Sequence, residues 1–174
     1  MSIGLNAQIL PTSSNHEDWI KKAIRLAEKA FSEGEVPVGA IVVKDNKIIG
    51  RGYNQREKLN DPTAHAEIIA ITAASNTIND WRLNDCSIYV TKEPCPMCAG
   101  ALVIARIQKV YYGISDPKMG CLGGATNLAQ LPESNHKFEA IGGILEKENH
   151  ILLNAFFEKK RAEKKNRSTE DSDT

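Results

Sequence analysis

Apolar residues recur at helical spacing through Trp19, Ile20, Ala23, Ile24, Ala27, Ala30 and Phe31, with Lys21, Lys22, Arg25 and Glu28 filling the opposite side. This spacing predicts an amphipathic helix with one face on a core. Ser14 and Glu17 make a capping-box pattern at its start, and Gly34 stops it. The period then changes. Val38–Val43 is apolar and β-branched, Asp45-Asn46 offers a turn, and Lys47–Tyr53 resumes the apolar pattern, which predicts a β-hairpin. Asp61-Pro62-Thr63 is a loop that leads into a helix from about Ala64 to Ser75.

Ser87–Thr91 reads as a short buried strand, Met97–Ile107 as a helix and Lys109–Ile114 as another strand. The glycines from 120 to 124 mark a loop, followed by a short helical piece to Leu131. Phe138–Leu145 predicts a final strand, with Gly142-Gly143 pointing to a bulge or an early end. Ile151, Leu152, Ala155 and Phe156 begin a last amphipathic helix. Strands alternating with helices predict a layered α/β domain, and the early hairpin makes its central sheet mixed.

Composition narrows this picture. The 174 residues, 41% apolar and 25% charged, suit a single globular domain, expected over 14–165. Residues 1–13 read as a flexible polar arm and 166–174 as a disordered acidic tail. No apolar run reaches the roughly 20 residues of a membrane span, and the N-terminus lacks a secretory pattern. A cytoplasmic protein is therefore expected, with Cys86, Cys95, Cys98 and Cys121 reduced. Lys plus Arg (22) equals Asp plus Glu (22), which argues against a general nucleic-acid coat. A local cluster remains: Lys159, Lys160, Arg161, Lys164, Lys165 and Arg167. It reads equally as a phosphate-gripping patch or as a solvated helix end complementing the dipole.

Two motifs carry chemistry, each opening a predicted helix: His65-Ala66-Glu67 and Pro94-Cys95-Pro96-Met97-Cys98. Cysteines three apart at a helix start point their sulfurs the same way, and the positive end of the helix favours thiolates. Two thiolates and one imidazole make three ligands for a tetrahedral zinc, leaving the fourth position open as in catalytic sites. Glu67 then serves as a base beside the activated water. Singly, His65 reads as a core histidine, Cys95 and Cys98 as a redox pair, and Glu67 as a helix-start charge. The joint spacing, H-x-E with P-C-x-x-C, is the signature of zinc-dependent base deaminases.

The stretches FSEGEVPVGAIVV, DPTAHAEI, WRLNDCSIYVTKEPCPMCAGAL, RIQKVYYGISDPKMGCLGG, SNHKF and NAFFEKKR extend the match over roughly residues 16 to 163. Across them the chain resembles the bacterial tRNA-specific adenosine deaminase family. The resemblance implies a three-layer α/β/α cytidine-deaminase-like fold with a central mixed five-stranded sheet. It also implies a homodimer with one zinc per subunit, deaminating adenosine to inosine at the wobble position of a tRNA anticodon stem-loop. On that basis His65, Cys95 and Cys98 hold zinc and Glu67 shuttles the proton. Asn54 holds the flipped nucleotide, Asp116 meets the anticodon-loop backbone, and Asn135-His136 lies beside the substrate loop. Lys160 and Arg161 are candidates for further RNA contacts. Lys92 departs from the family pattern, standing where an apolar residue is usual, and Pro96 replaces a common valine.

Three other readings stay open at this point. A deaminase of free guanine or cytosine shares the zinc motifs, so only Tyr112–His136 and the last helix tell it apart. A non-catalytic zinc-binding or RNA-binding module predicts a closed or absent metal site. A redox protein is separable by metal assay and thiol titration.

Overall fold

The computed structural model describes residues 14–170; the expected arm (1–13) and the last four residues of the tail lie outside the described residues. Helix α1 (Ser14–Ser32) buries Ile20, Ala23, Ala27 and Ala30 completely. It ends at Gly34, whose φ of 81° lets the Glu35 N–H turn back to the Ala30 carbonyl at 2.9 Å. The side chain of Ser14 lies outside the described residues, and with it the expected capping box.

Strands β1 (Gly39–Lys44) and β2 (Lys47–Tyr53) form the expected hairpin. Asp45 and Asn46 both take positive φ (48° and 57°), the two-residue turn whose twist matches a hairpin. A short helix α2 (Arg56–Leu59), which periodicity does not reveal, precedes α3 (Ala66–Ile78). Then follow β3 (Ser87–Lys92), α4 (Pro96–Ile104), β4 (Lys109–Ile114), a single 3-10 turn at Leu128–Gln130, β5 (Glu139–Ile141) and α5 (Glu146–Glu170).

The five strands lie in the order β2-β1-β3-β4-β5, with β1 antiparallel to both neighbours and β3, β4 and β5 parallel. The sheet is therefore mixed, as the hairpin required. Alternation along β1 and β3 divides the core in two. Val42, Ile88, Val90 and Val110 face Ala66, Ala70, Ala99 and Leu102 of α3 and α4. Ile41, Val43, Tyr89 and Tyr111 face Ile20 of α1, and Phe31 of α1 meets Phe156 of α5 edge-on at 5.6 Å. Helices thus cover both faces.

Two helix ends differ from expectation, and β5 takes the early end that its glycine pair offered. Helix α4 stops at Ile104 rather than Ile107, because Arg106 turns the chain with a φ of 57° towards β4. Strand β5 ends at Ile141, before Gly142, whose backbone lies against the Tyr112 ring. Helix α5 runs to Glu170, so 166–170 are helical and the disordered tail expected to start at 166 is corrected over that stretch.

Helix α3 rests directly on β2. A methyl group at Gly50 would meet the Ala74 amide nitrogen at 2.7 Å, and one at Gly52 would meet that of Ala70 at 2.7 Å. Ala66, Ala70 and Ala74 present the matching small surface, one helical turn apart. Gly52→Ala should force α3 off the sheet and destabilise the protein by about 1–3 kcal/mol, the usual cost of overpacking. Urea denaturation would show this as a lower midpoint with an unchanged slope; an unchanged midpoint would mean the helix yields freely.

Candidate metal centre and active site

Helices α3 and α4 begin side by side at one end of the sheet. His65 is the residue just before α3 (φ −77°, ψ 153°), and Cys95 holds the same place before α4 (φ −73°, ψ 175°). Neither side chain caps its own helix, so both are free for another partner. Pro96 fills the first helical position, where its missing N–H has no partner to lose. One turn on, Cys98 is fully buried.

The His65 Nδ1 lies 3.7 Å from Cys95 Sγ and 3.5 Å from Cys98 Sγ. All three candidate ligand atoms lie within 4.8 Å of one another. Bonds of ~2.3 Å to sulfur and ~2.0 Å to nitrogen at tetrahedral angles separate N from S by about 3.5 Å. The donor set therefore fits zinc. Among the described residues no fourth ligand joins the cluster, and all four cysteines are free. Cys121 turns its sulfur to the Met119 carbonyl instead.

Electrostatics prepare the group. The Cys95 thiol is pushed down to about 3 by a hydrogen bond from Cys98, then by His65 and the Cys98 backbone N–H. Cys98 is pushed up, because it supplies that hydrogen bond and is buried. The hydrogen bond to Cys95 raises the His65 pKa. A divalent cation at the centre of the three would favour both thiolates. Glu67, only 4% exposed, has its carboxyl raised by burial and then by the neighbouring Cys95 charge. It is a carboxyl disposed to take up a proton.

His65, Glu67 and Cys95 line a cavity of about 240 Å³, of a size for one base rather than a large ligand. Asn54, Arg56 and Lys92 share that lining, and Val36, Val38, Leu153 and Phe157 make it apolar. Asn54 is buried and its Nδ2 donates to Glu35 Oε2 at 3.3 Å. Glu35, itself 1% exposed, also accepts the backbone N–H groups of Glu57 (3.3 Å) and Lys58 (2.8 Å), so it caps α2 from a distance.

A second buried carboxylate organises the glycine-rich loop. Glu93 accepts from Ser115 Oγ (2.9 Å) and from the backbone N–H groups of Asp116 (2.8 Å), Leu122 (2.9 Å) and Gly124 (2.8 Å). Burial pushes its pKa up, but these bonds prevail and hold it low. Neither Glu35 nor Glu93 is revealed by sequence spacing. The available signal was a charged residue at the edge of an apolar run in each case. Leu153 and Phe157 were likewise missed, although the apolar rhythm of the last helix contained them.

The remaining candidates separate. Asp116 sits in the loop held by Glu93, its Oδ1 accepting from the Lys118 (2.9 Å) and Met119 (3.1 Å) amides and its Oδ2 pairing with Lys92. Asn135 is exposed, and His136 Nε2 is 2.7 Å from the Ile107 carbonyl, just before β4 begins. Since β3 and β4 are parallel and Cys95 follows β3, that is the opposite end of the sheet. The pair does not line this cavity. Lys160 and Arg161 are exposed on α5 outside it, with Lys160 beside Glu163 (3.5 Å) and over the Phe156 ring.

The chain matches the sequence model of the MafB19-like deaminases over residues 14–161. It is 46% identical over 149 residues to a tRNA-specific adenosine deaminase of Bacillus subtilis, covering 86% of this chain and 92% of that protein. Its counterpart of the same name in Haemophilus influenzae is 43% identical over 150 residues, 86% of this chain and 87% of the other. The fold superposes with a TM-score of 0.73 and 38% identity on a chain from studies of A-to-I editing by tRNA:A34 deaminases at the wobble position of transfer RNA, covering 78% and 99%. Guanine deaminase from Bacillus subtilis aligns with a TM-score of 0.55 at 43% identity, over 57% of this chain and 64% of that one.

Lys92, first among the causes, holds the Asp116 carboxyl down at about 2. A depressed carboxyl adds stability that is complete above its ordinary pKa of about 4 and is lost as pH falls towards 2. Asp116→Asn should therefore lose less stability than the natural chain between those two pH values. Thermal melts across that window check it, and parallel losses would show the pair to be energetically silent.

Proposed function

We propose, because this chain belongs to the family of tRNA-specific adenosine deaminases, that it converts adenosine to inosine at the wobble position of a tRNA anticodon. The reaction consumes water and releases ammonia, with one zinc per subunit held by His65, Cys95 and Cys98. The observation that carries this reading is a buried, proton-seeking Glu67 beside a three-donor cluster in a base-sized cavity. When bound, zinc supplies the Lewis acidity that makes water nucleophilic near neutral pH.

The chain's own groups do the rest. Glu67 accepts the proton of the attacking water and delivers it to N1 of adenine as the hydroxyl adds to C6. It then takes the proton of the new C6 hydroxyl and passes it to the amino group, which leaves as ammonia as the C6 carbonyl forms. Asn54, its amide oriented by Glu35, holds the base against the cavity wall. Val36, Val38, Leu153 and Phe157 cover the base and exclude bulk water. The wobble nucleotide already lies in a single-stranded loop, so extruding it costs little. In this reading Asp116 borders the anticodon-loop backbone, and Lys160 and Arg161 meet phosphates farther along the stem-loop.

Subunit pairing belongs to the same proposal. Helices α3 and α4 form the outer layer of one sheet face, yet carry apolar residues on their open side: Ile68 and Ile69 half-buried and Ile104 73% exposed. A helix apolar all round calls for cover on both sides, and a second copy provides it. No helix among the described residues is long and apolar enough to cross a membrane. The reading places the enzyme with its tRNA, in the cytoplasm. Ile104→Asp should shift the protein from dimer to monomer by light scattering; a dimer retained would locate the interface elsewhere.

The likeness to guanine deaminase keeps free-base deamination as the second reading, over a shorter part of the chain. Purified protein incubated with an anticodon stem-loop bearing a wobble adenosine, and separately with adenosine, guanine and cytosine, separates the two. Inosine in the stem-loop is the expected product; turnover of a free base alone would favour the second reading. Glu67→Ala should keep its zinc and lose at least about 10²-fold in turnover, whereas Cys95→Ala should lose both. Full activity in Glu67→Ala would remove its assigned role.

A further inference from the structure

We infer that Lys92 is a phosphate-contacting residue of this site, its ammonium held at the cavity by Asp116 to take one backbone phosphate beside the inserted nucleotide. The inference rests on the RNA reading above.

Lys92 ends β3, three residues before Cys95. Ile88, Val90 and Lys92 share one face of that strand by alternation, so two fully buried aliphatic side chains are followed by a cation. Its side chain is 29% exposed and lines the same cavity as His65, Glu67 and Cys95. Lysine is rarely placed so deep without a charge to meet.

Asp116 is its ion-pair partner among the described residues. That pairing is not needed to hold the loop. Glu93 already ties the loop with four hydrogen bonds, and the Asp116 Oδ1 closes the local turn through the Lys118 and Met119 amides. What the pair changes is the field. Alone, the Asp116 carboxylate would repel an approaching phosphodiester; paired with Lys92 it is neutralised. An ammonium has three N–H donors, so Asp116 leaves capacity for a second acceptor. The other charges nearby favour the same ligand. Arg56, paired with Glu57 at 3.2 Å, adds a further cation to the cavity lining, and the oxygens of Glu93 are engaged by the loop. An anion running past this opening meets cations at Lys92 and Arg56. A free base, which carries no phosphate, gains nothing from Lys92.

The test uses zinc-loaded full-length protein and an anticodon stem-loop with wobble adenosine. Deamination is followed from low to moderate salt for the natural chain, Lys92→Leu and Lys92→Arg, with zinc content and melting temperature measured on each. Lys92→Leu should raise KM about ten-fold at low salt with kcat changed less than two-fold. Its log–log salt dependence of kcat/KM should be shallower by about 0.7, the value of one single-strand phosphate. Lys92→Arg should restore both. An unchanged KM and salt slope in Lys92→Leu would overturn the inference. So would a fall in kcat with KM unchanged, or a loss of zinc, either of which would make Lys92 a support of the loop. A natural chain inert on the stem-loop but active on a free base would overturn the RNA reading itself, an outcome visible before any variant is compared.

Discussion

The seating of α3 on the bare backbone of Gly50 and Gly52 sets how close His65 comes to the two sulfurs of α4. Zinc tolerates only a few tenths of an ångström around its bond lengths, so the imidazole must be placed to that precision from a different helix than the thiolates. Small residues on both sides of the contact allow this: Ala66, Ala70 and Ala74 on the helix, glycine on the strand. On the other side, the parallel β3–α4–β4 crossover brings Cys95 and Cys98 to the same end of the sheet. The three candidate ligands meet where a glycine-seated helix and a crossover helix both begin.

Three buried glutamates show how environment divides one residue type among different tasks. Glu35 and Glu93 each accept backbone amides, and at Glu93 those hydrogen bonds hold the charged form. Glu67 is buried beside a thiolate, and both influences favour its proton. The two structural carboxylates hold the walls, α2 with Asn54 on one side and the loop of Asp116 on the other. The third, between them, is the one whose surroundings favour taking up a proton.

Charge placement matters more here than net charge. The chain is neutral overall, yet Arg56 and Lys92 bring two cations to the cavity lining, each beside a carboxylate, Glu57 and Asp116. The basic end of α5 lies apart from the cavity, and it is the apolar Leu153 and Phe157 of that helix that reach the lining. The cavity is thus an apolar slot of a size for a base, with cations at its edge.

The sequence by itself determined whatever depends on neighbours in the chain. The hairpin with its Asp45-Asn46 turn, the helix starts at His65 and Cys95, and the ligand count of His65, Cys95 and Cys98 with Glu67 left over were all legible there, because hydrophobic period, turn residues and motif spacing are local quantities. Three things were decided only by the tertiary structure. It brought Glu35 to Asn54 and Glu93 to the glycine loop, contacts across 19 and 22 or more positions that no spacing rule encodes. It set Lys92 against Asp116, 24 positions apart. And it carried Asn135 and His136 to the far end of β4, because strand direction, not proximity to a motif in the chain, determines which end of a sheet a residue reaches.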